Sequence, residues 1–513
     1  MILRIHALLV LILTGPVAAG EDTLTLPQRQ RVETSKGSGR WHATTKPVQW
    51  KASETAMVVC DMWATHWCKG ATGRVGEMAS RMNQVISAAR KKGVLVIHCP
   101  SSGVKFYGDT PQRKLAEDAP KAEAKVPLKR WCHLDPEREG KLPIDDSDGG
   151  CDCEPQCDRT NPMDLHQIAA IEIGPGDAIT DSAEAYHLMV QKGVKNVIAM
   201  GVHTNMCVLG RPFSIRQLSY QDLNVTLMRD LTDTMYNPRK APFVSHFTGT
   251  DLVVEHIEKY WSPTITSADL AGGKEFRFEK DTRPHLVIVV AEGPYKTEET
   301  LPKFALAELG NDFRVSFVHA DEKDRNDLPG VEVLNDANLV LFSVRRRAPP
   351  AAQLEAIRKY VASGKPLVAI RTSSHAFALR GEPPEGHGVW PEFDKDILGG
   401  NYHGHHPNDL ATDVRVVEGS RGHPIMTGIP AGEWRVHSSL YQTRPLAVSA
   451  TLLMMGRVGD GIPHEPVAWT NATAAGGRVF YTSLGHPQDF EIEAFRRLLR
   501  NAIFWAAGKT VPR

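Results

Sequence analysis

Asn196-Val197-Ile198-Ala199-Met200 runs directly into Gly201-Val202-His203-Thr204-Asn205-Met206-Cys207-Val208, an apolar run followed by a Gly-initiated polar loop and the start of a helical pattern. That order is the grammar of a βαβ unit, in which a buried parallel strand feeds a helix through a tight turn. It recurs at Ala56-Met57-Val58-Val59-Cys60, Val94-Leu95-Val96-Ile97-His98, Ala170-Ile171-Glu172-Ile173 and Asn224-Val225-Thr226-Leu227-Met228. Helices are expected between these strands over 75–92, 180–192, 207–220 and 241–258.

Past a polar, turn-rich stretch at 267–284 containing Gly272-Gly273, the grammar starts again. Its strands are expected at His285-Leu286-Val287-Ile288-Val289-Val290, Arg314-Val315-Ser316-Phe317-Val318, Leu339-Val340-Leu341-Phe342 and Pro366-Leu367-Val368-Ala369-Ile370, with later ones near 450–455 and 478–482. A helix over 351–363 carries Leu354, Ile357, Tyr360 and Val361 at helical spacing. The fold class is therefore α/β, as two three-layer α/β/α domains, each around a mainly parallel sheet. The division is 1–19 signal peptide, 20–266 first domain, 267–283 linker and 284–513 second domain.

The chain has 513 residues, 42% of them hydrophobic, which suits more than one globular core. Its 60 Lys+Arg balance 60 Asp+Glu, which argues against a nucleic-acid binder, since neutralising phosphates needs a basic excess. The densest basic run, Arg345-Arg346-Arg347, reads as a solvated loop. Residues 1–19 combine Arg4, an apolar stretch over 7–17 and the small residues Val17-Ala18-Ala19, the pattern of a secretory signal peptide. A secreted or periplasmic protein is expected, with no membrane segment beyond the signal.

In open parallel sheets ligands bind beyond the carboxyl ends of the strands, and Asp61 and Cys207 both fall there. At the start of a helix, unpaired amides favour a thiolate, so Cys207 reads as a nucleophile. Asp61 is placed to take its proton, and the loop amides of Val202 and His203 to hold an oxyanion. Val58-Val59-Cys60-Asp61-Met62-Trp63 followed by Gly201-Val202-His203-Thr204-Asn205-Met206-Cys207-Val208 resembles the isochorismatase-like cysteine hydrolase family, over residues 50–262. The resemblance implies a six-stranded parallel sheet, Asp61 as general base, Cys207 forming a thioester with an amide-type or related substrate, and a cis peptide at Val202–His203.

The chain departs from that family at one place. The catalytic Lys normally follows the strand before the Cys strand, and here that position runs into Gly174-Pro175-Gly176-Asp177. Lys125 or Lys129 are the replacements to consider. His66, His98 and His203 near strand ends read as hydrogen-bonded pocket histidines rather than metal ligands.

All eight cysteines precede residue 208. Cys132, Cys151, Cys153 and Cys157 bracket the acidic, Gly-rich Asp145-Asp146-Ser147-Asp148-Gly149-Gly150, and read as a disulfide-tied loop in an oxidising compartment, with a divalent metal knot as the alternative.

The second half carries Gly364-Lys365-Pro366-Leu367-Val368-Ala369-Ile370 into Ser373-Ser374-His375, then Leu398-Gly399-Gly400-Asn401-Tyr402-His403-Gly404-His405-His406, Gly422-His423-Pro424-Ile425-Met426 and Thr482-Ser483-Leu484-Gly485-His486. These pieces resemble the trehalose-utilisation-protein-like (ThuA-like) family of the class I glutamine-amidotransferase-like fold. Glutaminase relatives place a nucleophilic Cys after the strand ending at Ile370, where this chain has Arg371-Thr372-Ser373, so Cys-dependent glutamine hydrolysis is excluded in this half. Ser374 and His375 are adjacent and not expected to face one another. His375, His403, His405, His423 and His486 mark a candidate pocket for a metal or a polyol, with capping of local turns the equal alternative for His423 and His486, and the family's association with disaccharides implies a saccharide ligand.

The expectation is an exported hydrolase-like protein, with a homo-oligomer left open, with Cys207 as nucleophile and Asp61 as base, coupled to a carbohydrate-binding or carbohydrate-processing domain. The alternative is a non-catalytic carbohydrate-binding or scaffold protein in which both sites are degenerate.

Overall fold

The computed structural model describes residues 23–408 and 411–513. The expected signal peptide lies outside the described residues. The first half contains β1 (Thr23–Glu33), β2 (Trp41–Lys51), β3 (Thr55–Cys60), α1 (Lys69–Lys91), β4 (Leu95–Cys99), α2 (Pro111–Glu117), β5 (Ala178–Ile179), α3 (Glu184–Gln191) and β6 (Asn196–Val202). It continues with α4 (Cys207–Gly210), α5 (Ile215–Tyr220), β7 (Asn224–Asp233), α6 (His246–Tyr260), β8 (Thr264–Ile265) and α7 (Ala268–Ala271). Its sheet has eight strands in the order β2-β1-β8-β7-β6-β3-β4-β5, and the run from β8 to β5 is parallel.

Every residue of β3 is buried, because helices cover both faces of the sheet. Ala56, Val58 and Cys60 enter one core cluster with Leu188, Val253 and Ile257, while Met57 and Val59 enter the other with Met78, Met82 and Ile86 of α1. A strand sandwiched in this way must be apolar at successive positions, which is why these runs do not alternate.

The second half contains β9 (His285–Ala291), α8 (Thr297–Phe304), β10 (Arg314–His319), β11 (Leu339–Val344), α9 (Ala351–Ala362), β12 (Leu367–Ile370), β13 (Gly404–His405), β14 (Thr412–Val416), β15 (Trp434–Val436) and β16 (Tyr441–Gln442). β17 (Thr451–Arg457), β18 (Glu465–Ala472), β19 (Arg478–Thr482) and α10 (Glu493–Ala506) complete it. The nine-stranded sheet runs β10-β9-β11-β12-β19-β18-β17-β14-β15, parallel as far as β19 and antiparallel beyond. Two α/β units around mainly parallel sheets are thus present.

Three local expectations are corrected, and one element was not expected. Ala170-Ile171-Glu172-Ile173 is not a strand: the edge position is taken by the two-residue β5 at Ala178 and Ile179. The helix expected over 207–220 is broken into α4 and α5 at Arg211-Pro212, where proline lacks the amide a continuing helix needs. The joining segment is not a free linker, since Phe276 and Phe278 pack on the first core and Arg81 donates to the Gly272 carbonyl at 2.6 Å. The β1–β2 hairpin, paired from Thr23↔Lys51 to Glu33↔Trp41, has no counterpart in the sequence reading. Its largely polar Thr-, Gln- and Arg-rich composition gives no apolar run.

The hairpin reaches the second half, where Thr34 Oγ1 donates to Glu322 at 3.0 Å and His42 lies 3.6 Å from the Asp321 carboxylate. No helix among the described residues is long and apolar enough to cross a membrane.

Gly201, where β6 turns toward Cys207, has φ +108, and a Cβ there would stand 2.1 Å from the Cys60 carbonyl oxygen. Gly201→Ala is therefore expected to destabilise the protein by about 2–4 kcal/mol through strain and overpacking. A lower denaturant midpoint at unchanged slope is the expected readout, and an unmoved midpoint would refute the close contact.

Candidate active site

β3 delivers Asp61 to the carboxyl end of the sheet, where its amide donates to the Cys99 carbonyl at 3.0 Å and its φ is 49°. The side chain is fully buried; Oδ1 accepts from the Ser101 amide at 2.8 Å and Oδ2 has no hydrogen-bond partner. Burial pushes its pKa up to about 6, against the lowering influence of the Cys207 thiol, Ser101 and the Arg211 charge. An acid of that strength exchanges protons near neutral pH.

β6 delivers Cys207 through a loop that β7 holds in place. The Thr204 amide donates to the Asp233 carbonyl at 2.8 Å, and Asn205 both donates to the Met235 carbonyl and accepts from its amide. The Val202–His203 peptide is cis, as the family resemblance implies. The amides of His203 and Cys207 are not taken up by the hydrogen bonds that fix this loop.

Cys207 opens α4, but the expected helix-stabilised thiolate is corrected. Burial and the adjacent Asp61 carboxylate push the Cys207 thiol well above its ordinary range, and a four-residue helix supplies little field against them. The resting pair is therefore a thiol beside a carboxylate.

One group works in the other direction. The Arg211 guanidinium lies beside Cys207 and Asp61, favours the thiolate, and has its own pKa raised by them. It sits over the Trp131 ring at 5.5 Å, and that ring packs on Gly210 so closely that a Cβ would meet it at 2.7 Å. Lys125 is instead exposed and paired with Asp222 at 2.5 Å, and Lys129 is tied through its amide to Gln217. Arg211 was not singled out in the sequence. Its signal is the spacing Cys207 to Arg211, i to i+4, which brings two side chains to one face of a single turn.

Trp63 and His66 stack at 5.7 Å and 5° beside the site, and His66 meets His203 edge to face at 5.0 Å. Burial holds His66 at about 4 and His203 at about 3, so both rings are neutral. His98 is a paired core residue, bonded to Gln167 at 2.8 Å and Asp177 at 3.0 Å.

The expected cysteine set is corrected in membership and bonding. Cys132 lies away from the others, 3.4 Å from Gln217 Oε1, and Cys68 takes its place beside Cys151, Cys153 and Cys157. None of the eight is in a disulfide. Among the described residues this quartet is the group whose potential metal-ligand atoms converge, all within 4.8 Å of one another.

In the second half, Arg371 occupies the turn after β12 with φ 49°. Its guanidinium is buried between the rings of Tyr295 at 4.3 Å and Tyr441 at 4.7 Å, and donates to the Ser439 and Ser483 carbonyls. His375 is buried, stacked on Tyr402 at 4.5 Å, and held neutral at about 3 by burial and the charges of Arg346, Arg345, Arg371 and Arg380. Contrary to expectation, Ser374 Oγ and His375 Nδ1 do meet, at 3.1 Å.

The Arg345-Arg346-Arg347 run is half-buried rather than solvated, with the Arg346 and Arg347 amides donating to the His375 and Ala376 carbonyls. Arg346, Arg347 and Arg371 each keep a buried Nε without a partner. Asp394, raised to about 7 by burial, accepts from the Tyr402 amide and leaves Oδ1 unpartnered.

The five candidate histidines do not form one cluster. His405 is exposed, 6.5 Å from Tyr441, and His403 is exposed and bonded to the Asn401 carbonyl. His486 caps a turn 6.1 Å from Tyr295. His423 is corrected out of the pocket: it caps the 424–426 turn and packs on Trp505 at the far end of α10 from His486.

Residues 286–506 match the family model "ThuA: Trehalose utilisation". Among solved structures, a ThuA-like protein from Parabacteroides merdae is 18% identical with a TM-score of 0.33, covering 45% of this chain and 93% of its own. A cysteine hydrolase from Pseudomonas syringae pv. phaseolicola is 18% identical with a TM-score of 0.28, covering 43% of this chain and 92% of its own. An isochorismatase family protein from Burkholderia thailandensis is 13% identical with a TM-score of 0.25, covering 43% of this chain and 94% of its own. No curated protein matches the chain.

Because Arg211 offsets the Asp61 charge at the thiol, Arg211→Leu is expected to slow alkylation of Cys207 at pH 8 by about tenfold or more, one decade per unit of thiol pKa. Arg211→Lys should restore part of the rate. Equal rates in all three proteins would remove Arg211 from the site.

Proposed function

We propose that the first half is a cysteine hydrolase acting on an amide-type small molecule, in an exported protein whose second half binds a saccharide. The observation that carries the first reading is the buried Asp61 carboxyl, with one unpartnered oxygen, beside the Cys207 thiol and the Arg211 guanidinium. Arg211 fills the role of the missing lysine.

In this reading the Cys207 sulfur attacks the substrate carbonyl carbon as its proton passes to Asp61. The carbonyl π pair moves onto oxygen, which the His203 and Cys207 amides receive. Asp61 returns the proton to the departing nitrogen, the C–N bond breaks, and a thioester remains. Water then attacks with Asp61 again as base, the C–S bond breaks and the thiol is restored. The resting neutral thiol suits this order, since charge develops on sulfur only as the new bond forms.

For the second half, the supporting observation is a cluster of aromatic rings and arginines with unpartnered cationic nitrogen: Tyr402 and Tyr441 beside Arg346 and Arg371, with no cysteine at the elbow. Aromatic rings suit the apolar faces of sugars, and the arginines favour an acidic group on them.

Two measurements test these readings. Against a panel of small amides, Cys207→Ala should abolish turnover, and Asp61→Asn should cost about 10²–10⁴-fold in kcat/KM, the range of a general base. The wild-type profile should fall below pH about 6 as Asp61 becomes protonated. Activity that survives Cys207→Ala, or is flat through that region, overturns the roles given to Cys207 and Asp61, and a wild type that turns over none of the amides leaves the non-catalytic alternative. In thermal-shift assays, uronates and sugar phosphates should raise Tm more than neutral disaccharides, and Arg346→Ala should diminish the shift. No shift with any saccharide would remove the second assignment.

A further inference from the structure

The stretch Asp145-Asp146-Ser147-Asp148-Gly149-Gly150-Cys151-Asp152-Cys153-Glu154-Pro155-Gln156-Cys157 forms no helix or strand. Ordering each such residue costs about 1–2 kcal/mol, and an acidic, Gly-rich loop buries little apolar surface to offset that. Yet it is built into the molecule. Asp152 accepts from Arg74 at 2.8 Å, Asp146 from Asn205 at 2.8 Å and Asp148 from Asn237 at 2.7 Å. Something besides packing holds the loop down.

The four sulfurs of Cys68, Cys151, Cys153 and Cys157 supply the means. Cys68 stands at the N-terminal cap of α1, a helix of 23 residues, and the other three come from the loop. Cys68 and Cys153 sulfurs are 3.9 Å apart and the whole set lies within 4.8 Å. The edge of a tetrahedron with metal–sulfur bonds of about 2.3 Å is about 3.8 Å. The sulfurs also accept backbone amides: Gly70 onto Cys153 at 3.2 Å, Lys69 onto Cys157 at 3.5 Å and Cys157 onto Cys151 at 3.4 Å. Amides directed at sulfur stabilise thiolates, and here two of them belong to the first turn of α1. Trp67, Ala71, Met206 and Met235 pack around the set.

We propose that Cys68, Cys151, Cys153 and Cys157 bind one zinc ion as a closed tetrathiolate site. Four soft thiolates in a tetrahedral arrangement leave no position for substrate, so the ion is structural. It staples the loop onto α1, and through Asp152 it steadies Arg74, which donates to Asp233 at 2.7 Å, the residue whose carbonyl holds the Thr204 amide in the Cys207 loop. The proposal stands independently of the hydrolase reading.

The test is elemental analysis and thiol titration of the purified full chain. One zinc per chain is expected, released as a mercurial takes up the four cysteine thiolates that held it. Cys153→Ser should lose the zinc, while Cys132→Ser, outside the quartet, should keep it. Should Cys153→Ser fail to fold, cobalt(II) added to the reduced, metal-stripped wild type should produce thiolate-to-metal charge-transfer absorption with tetrahedral visible bands. A mass four hydrogens below the fully reduced value without metal, or reduced protein that takes up neither zinc nor cobalt, would overturn the site; iron in place of zinc would overturn the choice of ion.

Discussion

A carboxyl group and a thiol, withdrawn from water and set against each other where β3 and β6 end, impose most of the local architecture around them. The carboxylate does not tolerate such burial alone. Asp61 can be ionised there because Ser101 donates to one oxygen and Arg211 brings a positive charge. Arg211 is in turn spread over Trp131, which closes on Gly210. The left-handed conformation of Asp61 and the close approach of Gly201 to Cys60 are backbone distortions that a well-packed sheet can sustain.

Parallel strands buried on both faces announce themselves as unbroken apolar runs, and β3, β4, β6, β9, β11, β12 and β19 were all legible on that ground. Of the strands stabilised otherwise, β10 and β17 were expected and several were not. β1 and β2 depend on pairing with each other and on the buried Glu258 meeting Arg29 at 2.7 Å and Arg31 at 3.1 Å, neither of which leaves a periodic trace. β5 owes its place to two residues beside β4.

The site shows the same division. Asp61 and Cys207 could be located because strand ends locate them. Arg211 was hidden because its partner lies on its own turn of helix, where a search for a lysine on a different strand does not look. Cys68 was hidden for the opposite reason: 83 residues of chain separate it from Cys151, and only the folded α1 cap brings it to the loop. His423 and His486 both cap the turn that follows them, but His423 packs on Trp505, away from the other candidate histidines.

The turn after β12 is strained in the second half as well, with Arg371 in the left-handed region. Where a nucleophile would stand, Arg371 is locked between two tyrosines and two carbonyls, so the strained turn now displays a fixed cation.

β10 is the outermost strand of the second sheet, and the arm formed by β1 and β2 lies across it. An uncovered outer strand is a template for unwanted association between chains. The two halves are thus not interchangeable modules: a gene fragment encoding only the later one would lose its shield, and recombination between such proteins would have to carry the amino-terminal arm along with the domain it protects.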